Sequence, residues 1–168
     1  VSNSSSGNIH SIIWWLLGNL QVYKISQVLA LALASLAGIL ISFIFSRELN
    51  AISLGEEEAR HLGIDIESVK IILLLVATFV ASMVVSICGI IGFTGLMMPH
   101  IARRLVGPDH KMLLPASVLM GAVFLLLCDI FSKALLAPKE IPIGVITSFI
   151  GVPFFIYILK KSRKVYFK

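Results

Sequence analysis

Residues 71–102 carry no Asp, Glu, Lys or Arg, and this long uncharged run constrains the fold more than any other feature. As one helix it would rise about 48 Å at 1.5 Å per residue. A bilayer core is only about 30 Å thick, and tilt absorbs little of such an excess. Gly89, Gly92, Gly95 and Pro99 lie in its second half. Glycine supplies tight-turn dihedrals and proline interrupts helical bonding. The run is therefore expected to break near Gly89–Gly92 into a span and a shorter returning helix. Three more uncharged windows, 25–46, 112–128 and 141–159, each suit one membrane helix. The expected fold is an all-α integral membrane protein with about five transmembrane helices, near 25–46, 69–90, 93–106, 112–134 and 141–160.

Composition agrees. The chain is 58% hydrophobic and 14% charged, with a mean hydropathy of +0.98. A soluble domain is about 45–50% apolar and about 25% charged, so a soluble enzyme, a disordered chain and a disulfide scaffold are excluded. The net charge of +5 is spread between apolar runs rather than gathered into a nucleic-acid-binding patch. Cys88 and Cys128 fall inside apolar runs and read as packed thiols. The opening residues lack a basic signal-peptide region, and the initial Val1 suggests a start partway through a longer protein.

The 14 basic residues test the span count. With five spans, Arg47, Arg60, Lys70, Arg103, Arg104, Lys111 and the tail bases Lys160, Lys161, Arg163, Lys164 and Lys168 share one side, against Lys24, Lys133 and Lys139 on the other. Four spans divide the bases far more evenly. Cytoplasmic loops collect Lys and Arg, so five spans with a cytoplasmic C-terminus fit best.

The connecting segments then acquire sides. Residues 1–24 are external; Trp14, Trp15 and Tyr23 suit the headgroup level. Residues 47–68 form a cytoplasmic loop with one short helix expected over about 54–62, Ser53 and Glu56 having capping-box spacing and Gly63 stopping it. Residues 99–115 form a second inner loop, 133–142 an outer one, and 161–168 a basic cytoplasmic tail. His10, His61, His100 and His110 are dispersed without a metal-binding pattern, and no phosphate-binding loop is present. Asp129, close to the outer mouth, is four residues from a partner in Lys133.

Three stretches, LNAISLGEEEARHLGI (49–64), GIIGFTGLMMPHIARRLVGPDHKMLLPAS (89–117) and LLLCDIFSKALLAPKEIPIGVITSFIGVPFFIYILKK (125–161), resemble in order and spacing the C-terminal half of the FecCD-type permeases. These are membrane subunits of ABC importers for iron–siderophore complexes, haem and cobalamin; the vitamin B12 importer permease is the best-known relative. The resemblance implies a type II importer permease in the inner (cytoplasmic) membrane, with about ten spans per permease and two copies per transporter. It also implies a separate ABC ATPase subunit, an extracytoplasmic substrate-binding protein, no cofactor on this chain because ATP binds the partner, and no enzyme activity of its own.

Residue roles follow from the resemblance. The 49–64 segment matches the loop that contacts the ATPase, giving Leu54, Gly55, Glu57, Glu58, Ala59, Arg60 and Gly63 as coupling residues; Glu57, Glu58, Ala59 and Gly63 also resemble the EAA-three-residues-Gly pattern of importer permeases. Arg103, Arg104 and His110 are candidates for a second cytoplasmic contact. Lys133, with Lys139 nearby, matches the basic position that bridges the binding protein. Many relatives carry Arg there, and Lys keeps the charge but loses the bidentate geometry. Gly89, Gly92, Gly95 and Pro99 are assigned to helix break and packing. The rival readings are a non-ABC secondary transporter, which should carry a midspan ion-coupling acid, and a membrane-embedded structural subunit.

Overall fold

The computed structural model describes residues 12–20, 24–135 and 141–166, with side chains to Lys160. Its regular structure is helical. We number the helices α1 (Ile25–Ile44), α2 (Ser46–Leu54), α3 (Glu56–His61), α4 (Ile66–Cys88), α5 (Thr94–Val106), α6 (His110–Ala134) and α7 (Ile143–Tyr166). α1, α4, α6 and the Ile143–Lys160 part of α7 are long and apolar enough to cross a membrane. They leave large side chains such as Leu33, Leu74, Leu119 and Phe149 exposed, as a lipid-facing or helix-facing surface requires. Together with the relatives described below, they make this a multi-pass membrane protein. α5 is the short helix expected after the break: its 13 residues rise about 20 Å.

The uncharged run breaks over 89–93. Gly89 has φ +73° and the non-glycine Phe93 has φ +65°, both in the left-handed region. Gly95 and Pro99 do not break the chain, as both lie inside α5. The second inner connection is also shorter than expected. α5 ends at Val106, as the expected bounds of 93–106 have it and the 99–115 loop does not, with Arg103 and Arg104 in its last turn facing the negative end of the helix dipole. Gly107 at φ +88° ends it, and α6 starts three residues later.

Contacts divide the chain into two compact units. One comprises Val22–Ile87 and Ile101–Leu119. Within it, Gly38 of α1 faces Val80 of α4, and an added Cβ would press on that valine. Asp65 caps α4: its carboxylate accepts from the Ser68 N–H at 3.3 Å and the Ser68 hydroxyl at 2.6 Å. This cap starts the helix at Ile66, three residues before the expected position.

The other unit comprises Val1–Gln21, Cys88–His100 and Met120–Lys168. Residues 12–16 form a helical turn, and the chain after it is tied by backbone bonds from Asn19 N–H to Cys88 O (2.8 Å), Ile143 N–H to Gly18 O (3.2 Å) and Gly144 N–H to Leu17 O (3.0 Å). Three glycines permit this approach. A Cβ on Gly89 would strike the Trp15 carbonyl, one on Gly144 the Leu17 carbonyl, and one on Gly18 the Ile90 carbonyl. On α7, Gly151 leaves room for the Phe93 side chain, which seats that left-handed residue. Cys128, Ile143 and Thr147 are fully buried in this unit. Trp15 is partly exposed, as an interfacial ring should be, whereas Tyr23 lies outside the described residues.

Candidate functional site

The 47–68 loop holds two short helices where one was expected. Gly55, at φ +152°, separates α2 from α3 and is itself the N-cap residue of α3. Ser53 makes no cap. Its hydroxyl donates to the Asn50 carbonyl at 2.8 Å, one turn back inside α2. The expected capping box fails because glycine takes a conformation that closes α2 and opens α3 at a single residue. The C-terminal stop forms as expected: Gly63, at φ +79°, donates to Arg60 O and Ile64 donates to Ala59 O, the paired bonds of a Schellman motif.

The helix pair is anchored from beneath. Ala51, Ala59 and Ile66 form a small buried core, with Ile52 and Ile64 packed against it. Ala59 has no exposed surface, so a larger side chain there would push α3 off α4. Glu57, Glu58 and Arg60 point to solvent, as do Leu54 (79% exposed) and Leu62 (70%). Two exposed leucines thus flank an acidic turn. Glu56 pairs with Lys70 on α4, and that ammonium holds the Glu56 carboxyl below the usual carboxylate range.

A second fastening joins α2 to the start of α6. Asn50 Nδ2 donates to Asp109 Oδ1 at 2.7 Å. Asn50 Oδ1 accepts from the His110 backbone N–H at 2.8 Å and meets His110 Nδ1 at 2.7 Å. Asp109 Oδ1 also accepts from the Lys111 N–H at 3.0 Å, so one carboxylate caps α6 and holds Asn50. The amide donor of Asn50 and the Lys111 N–H keep the Asp109 carboxyl below its ordinary range. Of the residues expected at a second cytoplasmic contact, Arg103 and Arg104 are exposed on α5, while His110 is half-buried and engaged by Asn50.

Sequence reading missed Asn50, Asp65 and Asp109. An Asp just before an apolar helix is a recognisable start signal, so the two aspartates were within reach. Nothing local to Asn50 announces partners 59 and 60 residues away.

In the other unit, Lys133 Nζ donates to Asp129 Oδ2 at 2.6 Å across one helical turn, as the spacing allows. Ser132, nearly fully buried, donates its hydroxyl to the Ile141 carbonyl, and the Ile141 N–H returns a bond to Ser132 O at 3.3 Å. This reciprocal pair ties the end of α6, where Lys133 lies, to the approach to α7. Lys139 lies outside the described residues.

The sequence profile of the FecCD transport family matches residues 1–161. This chain belongs to the FecCD transport family. The match takes in residues 1–48 as well as the three stretches that carry the resemblance. The cobalamin import system permease protein BtuC of Halobacterium salinarum is 40% identical over 157 residues, covering 94% of this chain and 42% of that protein. The iron(3+)-hydroxamate import system permease protein FhuB of Bacillus subtilis is 39% identical over 153 residues, covering 91% of this chain and 40% of that protein. A solved structure assigned to the metal-chelate type of ABC transporter, in an inward-facing conformation, superposes with a TM-score of 0.82 at 34% identity, covering 90% of this chain and 49% of that one. The chain thus spans somewhat under half the length of these two relatives.

Proposed function

We propose that this FecCD-family chain is part of the permease of an ABC importer, forming with a second permease copy the path by which a metal chelate crosses the cytoplasmic membrane. The substrate class is an iron chelate (siderophore or haem) or cobalamin. ATP is bound and hydrolysed on a separate subunit, and this chain performs no bond chemistry. A substrate-binding protein delivers the chelate on the outer side.

One observation carries the reading: a pair of short helices, divided at Gly55, seated on α4 through Ala59 and exposing Leu54, Glu57, Glu58 and Arg60, in the segment that resembles the ATPase-contacting loop of the family. A short rigid element with an exposed apolar and acidic surface transmits a push. When the ATPase dimer closes, that push changes the tilt of the helices to which the pair is fastened. Four apolar helices, whose acids Glu67 and Asp129 lie near helix ends rather than at midspan, suit transport driven from outside the bilayer better than transport driven by a coupled ion.

The test is to purify the full-length permease from its native membrane, identify the subunits that accompany it, and measure ATP-dependent uptake of labelled ferric hydroxamate, haem and cobalamin in proteoliposomes. An accompanying ATPase, with ATP-dependent uptake of one of these chelates, is expected. Absence of any ATPase, or uptake indifferent to ATP, would sink the reading.

A further inference from the structure

Resting on the importer reading above, we propose that Asn50 is a positioning residue through which movement of the α2–α3 pair is passed to the first turn of α6. Besides the buried Ala51–Ala59–Ile66 contact, the described residues give the pair two polar side-chain fastenings within its unit. The Glu56–Lys70 pair runs to α4, with both side chains more than half exposed (57% and 52%). Long, solvated side chains of this kind change rotamer under load, and exposed pairs hold weakly. Asn50 is different. It has a short side chain with two rotatable bonds, and it meets three groups on two successive residues at 2.7–2.8 Å. One of those groups is a carboxylate, which makes the bond charge-assisted.

The start of α6 is built on this contact. A helix leaves its first N–H groups without intrahelical partners. Here the His110 N–H is taken by Asn50 Oδ1 and the Lys111 N–H by Asp109 Oδ1. The Met112 and Leu113 N–H groups are taken by the Asp109 carbonyl. Asn50 Oδ1 also requires the His110 ring to carry its proton on Nδ1, which fixes the tautomer. All polar groups of the Asn50 amide are therefore aimed at the cap of α6, from a position inside α2. A displacement of α2 moves that cap bodily, because no flexible side chain lies between the two helices to absorb it. The same helix carries Asp129 and Lys133 in its closing turns.

The experiment uses the full-length permease with its ATPase in proteoliposomes, measuring chelate uptake and ATP hydrolysis on the same samples. Asn50→Asp replaces the donor to Asp109 with a second carboxylate and is expected to lower uptake roughly tenfold, leave ATPase association intact, and hold hydrolysis within about twofold, so that ATP spent per chelate rises. The double variant Asn50→Asp, Asp109→Asn exchanges the two groups: residue 50 accepts from His110 and residue 109 donates. It is expected to restore uptake to within about threefold of the parent. The proposal is overturned if Asn50→Asp leaves ATP spent per chelate unchanged, whether both rates persist or fall together, or if the exchange does not rescue uptake. A parent complex that contains no ATPase would instead overturn the importer reading itself.

Discussion

The side-chain oxygen of Asn50 accepts the backbone N–H of His110 at 2.8 Å and meets its ring Nδ1 at 2.7 Å. A residue in the middle of one short helix thus supplies the first hydrogen bond of another, 60 positions along the chain. The arrangement places the candidate coupling segment under two constraints of different stiffness. The buried Ala51–Ala59–Ile66 contact sets where the helix pair sits, and the Asn50 amide sets what moves with it.

The Asp109 carboxylate should leave a pH signature. Its pKa is lowered by the Asn50 donor and the Lys111 N–H. A carboxylate depressed on folding stabilises the folded state above its unfolded value of about 3.9 and loses that contribution as pH falls through the lower folded value. The melting-temperature difference between the parent and Asp109→Asn, followed by tryptophan fluorescence in detergent, should shrink below about pH 4, as Asp109 is protonated. Any change between pH 5 and 7 belongs to His110, whose half-buried ring feels the charges of Arg103 and Asp109. A difference that does not shrink below about pH 4 would mean that the Asp109 carboxylate does not hold the cap.

Gly55 should tolerate no side chain. Its φ of +152° lies where L-residues are strained, and an added Cβ would collide with the Glu58 carboxylate. Glu58 is exposed and free to swing away, so the backbone cost dominates, at about 1–3 kcal/mol. Gly55→Ala is expected to lower the melting temperature by a few degrees and reduce coupled uptake severalfold. Glu58→Ala combined with Gly55→Ala should not recover either, because it removes the clash but not the dihedral.

Glycines at the helix break should separate into two classes. Gly144 and Gly89 abut the backbone carbonyls of Leu17 and Trp15, whereas an added Cβ at Gly92 or Gly95 would meet nothing within 4 Å. Overpacking against immobile backbone costs about 1–3 kcal/mol or more. Thermal unfolding should show Gly144→Ala and Gly89→Ala well below the parent, with Gly95→Ala at or slightly above it, since alanine favours a helix interior by up to about 1 kcal/mol. Equal losses at Gly95 and Gly144 would contradict this packing.

These classes also mark how far the sequence was legible. The uncharged windows located the long helices because a bilayer imposes length and apolarity on each span independently of its neighbours. The break near Gly89 was legible because the 71–102 run outgrew a bilayer. The division of the coupling segment at Gly55 was not, because the Ser53–Glu56 spacing offered a competing helix start that the positive φ of Gly55 overrode. Gly89 and Gly92 looked equivalent in sequence. Their difference arises from Trp15, which reaches Gly89 only after the chain has folded back. The Asn50 contacts were invisible for the same reason.

Lys133 presents the last expectation, because a docking role proposed for it on the outer side would have to operate alongside its bond to Asp129. The pair has the favourable acid-before-base order at i, i+4 on a helix. Asp129 is the less exposed partner, 22% against 50% for Lys133, so it steadies the lysine while leaving the ammonium accessible. An exposed pair contributes at most about 1 kcal/mol, and a contact of that size across an interface is roughly fivefold in Kd. Lys133→Ala should therefore weaken binding of the substrate-binding protein about fivefold and flatten its dependence on salt, while ATPase association is unchanged. Lys133→Arg should bind at least as tightly as the parent, because the guanidinium adds a bidentate option for a partner carboxylate. Titration of the immobilised full-length permease with the binding protein at 50 and 300 mM salt separates these outcomes. An unaltered salt slope in Lys133→Ala would remove Lys133 from the docking surface and leave it as the partner that secures Asp129.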